Sequence, residues 1–391
     1  MYIEIEDANI QEFSNKEVIL FGAGSCGLRT VEEFEKINAK IIGFCDNNYE
    51  LIGKKIEKYA IIAPEEILSY PNASVIITST YDKEIKKQLN DMKIYSNYVA
   101  KVGVLKATMP FEDFKNPKLS GKEANNVIYR GLKEDKPFFV GRLGSVELEC
   151  LTHYLYLIDR KKESYPSNVK MIMNINAGFF PKNDFLLDEF SKLYIENMKE
   201  LDLIWTMWYS KYENKIYQDI IPDSIVSPYD DSYLPIENPL PWTKALEGKK
   251  VLVIHPFEKS IIDNYRNIKN IYPNGFMPEF NLITLPAVQS IAGTKTDFDS
   301  WFDALESMKE KISSIDFDIA LIGAGAYGFS LGAYVKSLGK KAVHVGGALQ
   351  LYFGIKGKAW DKLGVYNEYF TSPREEERPQ GFKKVESGRY W

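Results

Sequence analysis

Two glycine turns carry the clearest chemistry in this chain. Gly22-x-Gly24-x-x-Gly27 and Gly323-x-Gly325-x-x-Gly328 each come after an apolar run and open a helical pattern. In such a turn the first glycine permits a tight bend, the second lets backbone approach a phosphate, and the third lets helix and strand pack closely. The helix beyond presents unpaired N–H groups and a partial positive charge to an anion. The two turns lead to different strands. The strand after the first ends at Asp46, where a carboxylate can accept bonds from ribose hydroxyls. The strand after the second, "KAVHVGG", ends without an acid, which argues against a second conventional dinucleotide site. We expect Gly323, Gly325 and Gly328 to cradle a diphosphate or to shape its cleft, with Tyr327 stacking on a base or sugar. The alternative at the first turn is a Rossmann-like domain whose ligand site has decayed, and at the second close helix–strand packing alone.

A second group of polar residues stands at other strand ends. In "VGRLGSVELEC", Arg142 ends an apolar run, Gly144 allows a sharp turn, and Glu147 and Glu149 fall at a helix start. Arginine pairs bidentately with phosphate, and a carboxylate such as Glu147 can hold a hard cation beside substrate phosphates. The alternative is a helix start capped by Gly144 with Glu147 favoured by the dipole. His255, in "VLVIHPF", also sits at a strand end, where a histidine donates to phosphate or acts as a base; Glu149 is the other candidate base. Gly346 and Gly347 let backbone approach a ligand, with Gln350 and Lys356 nearby, and Asn176 in "NAGFFP" adds a polar contact beside two aromatics.

These residues need parallel-sheet elements to position them. "KEVILFG", "AKIIGFCD", "YAIIAP" and "ASVIITS" alternate with helical patterns over the first hundred residues, and "FFVGR", "KKVLVIH", "FNLITLP", "DIALIG" and "KAVHVGG" repeat the rhythm later. The reading is α/β throughout. A Rossmann-like nucleotide- or dinucleotide-binding domain spans residues 1–105, a linker 106–120, and a larger α/β domain with a Rossmann-like core 121–391. The charged, Pro-containing tail reads as irregular. At 391 residues with 45% hydrophobic and 26% charged content, the chain is globular. A net charge of −5 gives no general attraction to nucleic acid. Three cysteines without C-x-x-C spacing fit a reducing cytoplasm. No signal peptide and no membrane-spanning run is expected. A peripheral place at the inner membrane and a homo-oligomer are both compatible with these features.

"RLGSVELECL", "NAGFFP", "VLVIHPF", "LIGAGAYG" and "VHVGGALQLYFGIKGKAW", with "ERPQGFKKVESGRYW" near the end, resemble bacterial proteins carrying a GT-D-type glycosyltransferase domain. The first quarter resembles small Rossmann domains attached to bacterial sugar-modifying enzymes. The resemblance implies transfer of a sugar from a nucleoside-diphosphate donor to a glycan, lipid-linked or protein acceptor in polysaccharide or glycoconjugate assembly. It also implies a divalent cation, Mn²⁺ or Mg²⁺. The family motif couples an Arg-x-Gly turn to an Asp-x-Glu pair. Arg142, Gly144 and Glu147 match it, whereas Ser145 stands where the aspartate would be. Two competing readings are a nicotinamide-dependent nucleotide-sugar oxidoreductase or epimerase, favoured by the first glycine turn and Asp46, and a catalytically silent nucleotide-sugar binder.

Overall fold

The computed structural model describes residues 3–5, 10–23, 25–49, 51–56, 58–79, 82–95, 97–100, 111–157, 164–207, 211–230 and 232–391. The chain forms two compact units, Met1–Lys106 and Ala107–Trp391. Both are α/β with parallel sheets, as the alternating apolar runs predict.

In the first unit the strands are β1 (Ile3–Ile5), β2 (Glu17–Phe21), β3 (Lys40–Cys45), β4 (Lys55–Ile56), β5 (Tyr59–Ile62), β6 (Ser74–Ile77) and β7 (Asn97–Ala100). Their order is β1-β7-β6-β2-β3-β5-β4, parallel except for the β4–β5 pair. Helices α1 (Ser25–Lys36) and α2 (Asp82–Asp91) are amphipathic. Ile85 and Leu89 of α2 join Ile19, Phe21, Val75 and Ile77 in the core.

The second unit adds β8 (Phe138–Arg142), β9 (Leu203–Thr206), β10 (Ile225–Pro228), β11 (Lys250–His255), β12 (Asn281–Pro286), β13 (Ile319–Ile322) and β14 (Lys341–His344). All pair in parallel, in the order β10-β9-β8-β14-β13-β11-β12. Alternate residues of one strand enter different cores. Leu252, Ile254, Ala320 and Ile322 belong to one hydrophobic cluster; Val251, Val253, Ile319 and Leu321 belong to the other. The side-chain period of two sends them to opposite faces, so both faces of this sheet are covered. The helices are α3 (Gly121–Lys133), α4 (Ser145–Thr152), α5 (Ser167–Ile175), α6 (Asp184–Met198), α7 (Lys211–Ile220), α8 (Glu258–Tyr265), α9 (Ile268–Ile271), α10 (Trp301–Ser313), α11 (Tyr327–Ser337) and α12 (Leu349–Tyr352). Trp301, Leu305 and Met308 of α10 are buried and Phe302 is half-buried, so the apolar residues of this helix share its inner face. No helix among the described residues is long and apolar enough to cross a membrane.

The linker assignment needs correction. The linker assigned to 106–120 is, from Phe111 onward, part of the second unit. Phe114 is buried in its core, the Asn116 amide donates to the Ile221 carbonyl at 2.8 Å, and Lys118 bridges Val226. Residues 106–110 lie outside the described residues. The tail is irregular in secondary structure, as expected, but it is packed. It winds through short 3-10 turns, buries Val385 and Trp391, and brings Glu377 onto the N-terminus of α8. There the Glu377 carboxylate accepts the Lys259 N–H at 2.7 Å, the Ser260 N–H at 3.2 Å and the Ser260 hydroxyl. A carboxylate capping orphan helix donors contributes about 1 kcal/mol. Replacing Glu377 by Ala is expected to lower stability by about 1–2 kcal/mol in urea unfolding, with Glu377→Gln recovering part of it.

Candidate functional site

A cavity of about 390 Å³ lies at the carboxyl ends of the second sheet. Every strand of that sheet contributes to its wall. Arg142 ends β8, Met207 comes after β9, Tyr229 after β10, His255 ends β11, Ala287 comes after β12, Gly323 after β13, and His344 ends β14. The chain runs outward from β8 to β9 and β10, while β14 enters from the other half of the sheet. The β8–β14 junction is therefore a topological switch point, where open parallel sheets form a crevice for ligands. The volume lies within the ~300–1,000 Å³ usual for small-molecule sites.

Arg142 stands at that junction. Its Nε donates to the Val345 carbonyl at 3.3 Å, and its guanidinium carbon lies 5.7 Å from the centre of the Tyr229 ring. The Tyr229 hydroxyl donates to the same carbonyl at 2.9 Å, and the ring stacks on Tyr233 at 4.3 Å. Arg142 makes no ion pair among the described residues. Its Nη1 also donates to the Met207 sulfur at 3.5 Å; a half-buried guanidinium without an ion pair has donors that can receive an anion.

Gly346 is what lets the β14 loop pass this side chain. Its φ is +75°, and a Cβ there would stand 2.2 Å from Arg142 Nη2. Gly144 has the same role beneath Glu147. It is the N-cap of α4, and a Cβ would meet the Glu147 carboxylate at 2.0 Å. Glu147 lines the cavity, and burial pushes its pKa up against the opposing pull of its own backbone amide and the Arg142 charge. Burial thus works against the charged form that a cation ligand uses. No three His, Cys, Asp or Glu side chains among the described residues converge into a metal-holding group. Glu149, on the same helix, is 4% exposed and does not line the cavity. The capping alternative for Gly144 and Glu147 thus holds at the same time as their place in the cavity wall.

All three histidines are buried, and His255 is tied to the backbone. His255 lines the cavity, but its Nδ1 accepts the Phe257 N–H at 2.9 Å. The neutral ring then carries its proton on Nε2 and offers a donor rather than a base. Burial drives its pKa down to about 3. His344 is also held near 3, by burial and then by the Arg142 charge, and burial holds His153 near 4. These folded values lie below the ordinary histidine value of about 6.5. The unfolded chain therefore binds more protons in between, so this stability is present above about pH 6.5 and is lost as pH falls toward the folded values. Thermal melting temperature is expected to fall between pH 7 and pH 4.5, and His344→Gln should make that slope shallower.

The remaining candidates divide. Asn176, Gly325 and Gly323 line the cavity. A Cβ on Gly323 would meet the Gly346 carbonyl at 2.8 Å, so three strand-end loops close together here. Tyr327 reaches the cavity, yet one face of its ring stacks on Trp301 at 5.0 Å and its hydroxyl shares a bond with Ser290. It is 2% exposed and is a wall rather than a stacking platform. Gly328 does not line the cavity. It gives α11 room against His344, where a Cβ would stand 2.5 Å from Nε2. Gln350 and Gly347 line the cavity but serve the tail. The Gln350 amide donates to the Lys356 and Tyr390 carbonyls at 2.8 and 3.1 Å, and Gly347 makes room for the Tyr390 ring. The Lys356 ammonium lies over Tyr366, 5.9 Å from its centre, away from the cavity lining. Phe179, one of the two aromatics beside Asn176, is core, packed on Phe190 and Trp301.

Sequence reasoning missed several wall residues. Tyr229, Asp230 and Tyr233 come from the Pro- and Tyr-rich stretch, and Glu386, Arg389, Tyr390 and Trp391 from the tail. Glu386 and Arg389 pair at 2.6 Å. The pairing of aromatic and charged residues in "VESGRYW" was the available signal.

In the first unit, Gly22 comes after β2 with φ +124°, backing onto Thr78 after β6, whose hydroxyl donates to the Gly22 carbonyl at 2.9 Å. Those strands flank that sheet's own switch point. A Cβ on Gly27 would stand 2.0 Å from the Gly22 carbonyl oxygen, so turn and helix need this glycine to approach. The Asp46 carboxylate accepts the Ala23 N–H at 2.8 Å and the Asn48 N–H at 2.9 Å. It braces the turn and retains lone pairs for a further donor. Gly24 lies outside the described residues. Residues 14–100 are similar to the family described as C2185-like, N-terminal. No curated protein and no solved structure matches the chain.

Proposed function

We propose that the second unit is a glycosyltransferase domain that binds a nucleoside-diphosphate sugar in the seven-strand crevice and transfers its sugar to a hydroxyl acceptor. The observation that supports this most is the Arg142 guanidinium at the β8–β14 switch point, without an ion pair among the described residues. In this reading it receives the donor's diphosphate and takes up the charge that develops as the glycosidic C–O bond breaks. The N-termini of α4 and α11 add backbone donors, since neither is capped by a side chain. The His255 Nε2–H donates into the same space. Tyr229 and Tyr233 supply an aromatic wall for the base or sugar. A divalent cation belongs to the proposal as a companion of the donor phosphates, with Glu147 its candidate protein carboxyl. The first unit, in the same proposal, holds a nucleotide at the Gly22 turn, and the protein acts in the cytoplasm in polysaccharide or glycoconjugate assembly.

The test incubates the full chain with a panel of UDP-, GDP- and dTDP-sugars, with and without Mn²⁺ and NAD(H). Donor-dependent release of nucleoside diphosphate is the expected result. A change in nicotinamide absorbance or epimerised donor would assign the oxidoreductase or epimerase reading instead, and binding without turnover the silent binder.

A further inference from the structure

A second cavity, of about 520 Å³, adjoins the first. Asp230, Tyr233 and Leu363 line both. Its remaining wall is largely apolar, with Leu234, Pro235, Ile236 and Val365 prominent. Two neighbouring spaces of different chemistry suit two substrates. The first offers a guanidinium and backbone donors to phosphate. The second offers a largely apolar lining, with Lys122, Glu237 and Asn238 as its other polar groups.

The groups that could take a proton at the shared boundary can be compared one by one. His255 presents a donor. His344 is sealed at 4% exposure and packed between Gly328 and Phe329. Glu147 lies buried beside Arg142, at the phosphate end of the first cavity. Glu386 is held by Arg389 at 2.6 Å. Glu237 lines only the second cavity. Asp230 is exposed, lines both spaces, and has no hydrogen-bond or ion-pair partner among the described residues.

We infer that Asp230 is the catalytic base, and that the second cavity takes the acceptor, a hydroxyl compound carrying an apolar group. This rests on the transferase reading above. The acceptor O–H proton passes to an Asp230 carboxylate oxygen. The acceptor oxygen forms its bond to the anomeric carbon as the bond from that carbon to the diphosphate breaks. The electron pair leaves with the diphosphate, opposite Arg142. One displacement inverts the anomeric configuration.

The experiment uses the full chain with the donor panel and with octyl glucoside, octyl galactoside and octyl N-acetylglucosaminide as acceptor probes. Donor binding is read by calorimetry, transfer by product chromatography, and the anomer by NMR. The expected result is an inverted octyl disaccharide. Asp230→Asn should lower kcat by about 100-fold or more, the usual range for a lost base, with donor Kd and melting temperature nearly unchanged. Asp230→Ala should regain part of its rate with added formate, which a merely structural role would not show. Wild-type transfer with retained configuration, or an Asn variant as fast as wild type, overturns the base assignment. Donor hydrolysis with neither transfer to nor inhibition by any octyl glycoside overturns the acceptor site. Failure of the wild-type protein to bind any donor overturns the transferase reading itself, and so is distinguishable from the other outcomes.

Discussion

Replacing Arg142 by Ala is expected to slow donor turnover by about 100- to 1,000-fold, the range for losing one preorganised charge-stabilising donor, while the melting temperature moves little. The asymmetry arises from how the side chain is held. Its structural contacts are a long bond to the Val345 carbonyl, a 3.5 Å bond from Nη1 to the Met207 sulfur and a face against Tyr229. That carbonyl keeps its bond from the Tyr229 hydroxyl when Arg142 is gone. The stability lost is therefore about 1 kcal/mol, the net worth of an ordinary hydrogen bond. Arg142→Lys should fall between wild type and Ala, because an ammonium keeps the charge but not the planar fork or the Nε anchor. Nucleoside-diphosphate release and thermal melts on the same samples make the comparison. Equal proportional losses in both would assign Arg142 to the scaffold.

Gly346→Ala is expected to reach a similar outcome by a different route. The new methyl would stand 2.2 Å from Arg142 Nη2 and 2.5 Å from Nε, in a backbone conformation with φ +75°. The guanidinium is the movable partner, so it gives way and abandons its position at the crevice. Turnover should fall by about 10- to 100-fold, since displacing a reacting contact by about 1 Å can cost 100-fold. The positive φ adds a stability loss of about 1 kcal/mol or more. The informative measurement is the double variant. If Gly346 acts through Arg142, Arg142→Ala/Gly346→Ala should turn over no more slowly than Arg142→Ala alone. Additive losses in the rate would mean that Gly346 contacts the donor on its own account.

The fold was largely readable because its signals are local. Apolar runs such as "DIALIG" and "KAVHV" announced strands buried on both faces, and the glycine turns announced where helices begin. Arg142, Gly323 and Gly346 could be placed together because strand ends in a parallel sheet meet at one edge, while Glu147 in α4 and Asn176 at the end of α5 line the same cavity from helices. The misses have a common cause in long-range geometry. His255 was placed at the right strand end, but only the fold shows that the Phe257 N–H occupies its Nδ1. Lys356 sits near the glycine run in sequence, yet its side chain turns to Tyr366. The tail carries no periodic pattern, and its order comes from distant partners, Glu377 on α8 and Trp391 against Phe257. Asp230 lies in a turn without any motif, and becomes conspicuous only when two cavities are seen to share it.

The uniform direction of the second sheet has a practical corollary. With every carboxyl end committed to the crevice, the opposite rim is left for engineering. The tight turns at Gly248 and Gly339 lead into β11 and β14 on that rim, and nothing lies within 4 Å of where a Cβ would project from either. Lengthening a flexible surface loop costs only about 0.6 kcal/mol per doubling. Peptide tags, fluorescent reporters or relocated chain termini introduced at these two turns would leave the opposite edge undisturbed.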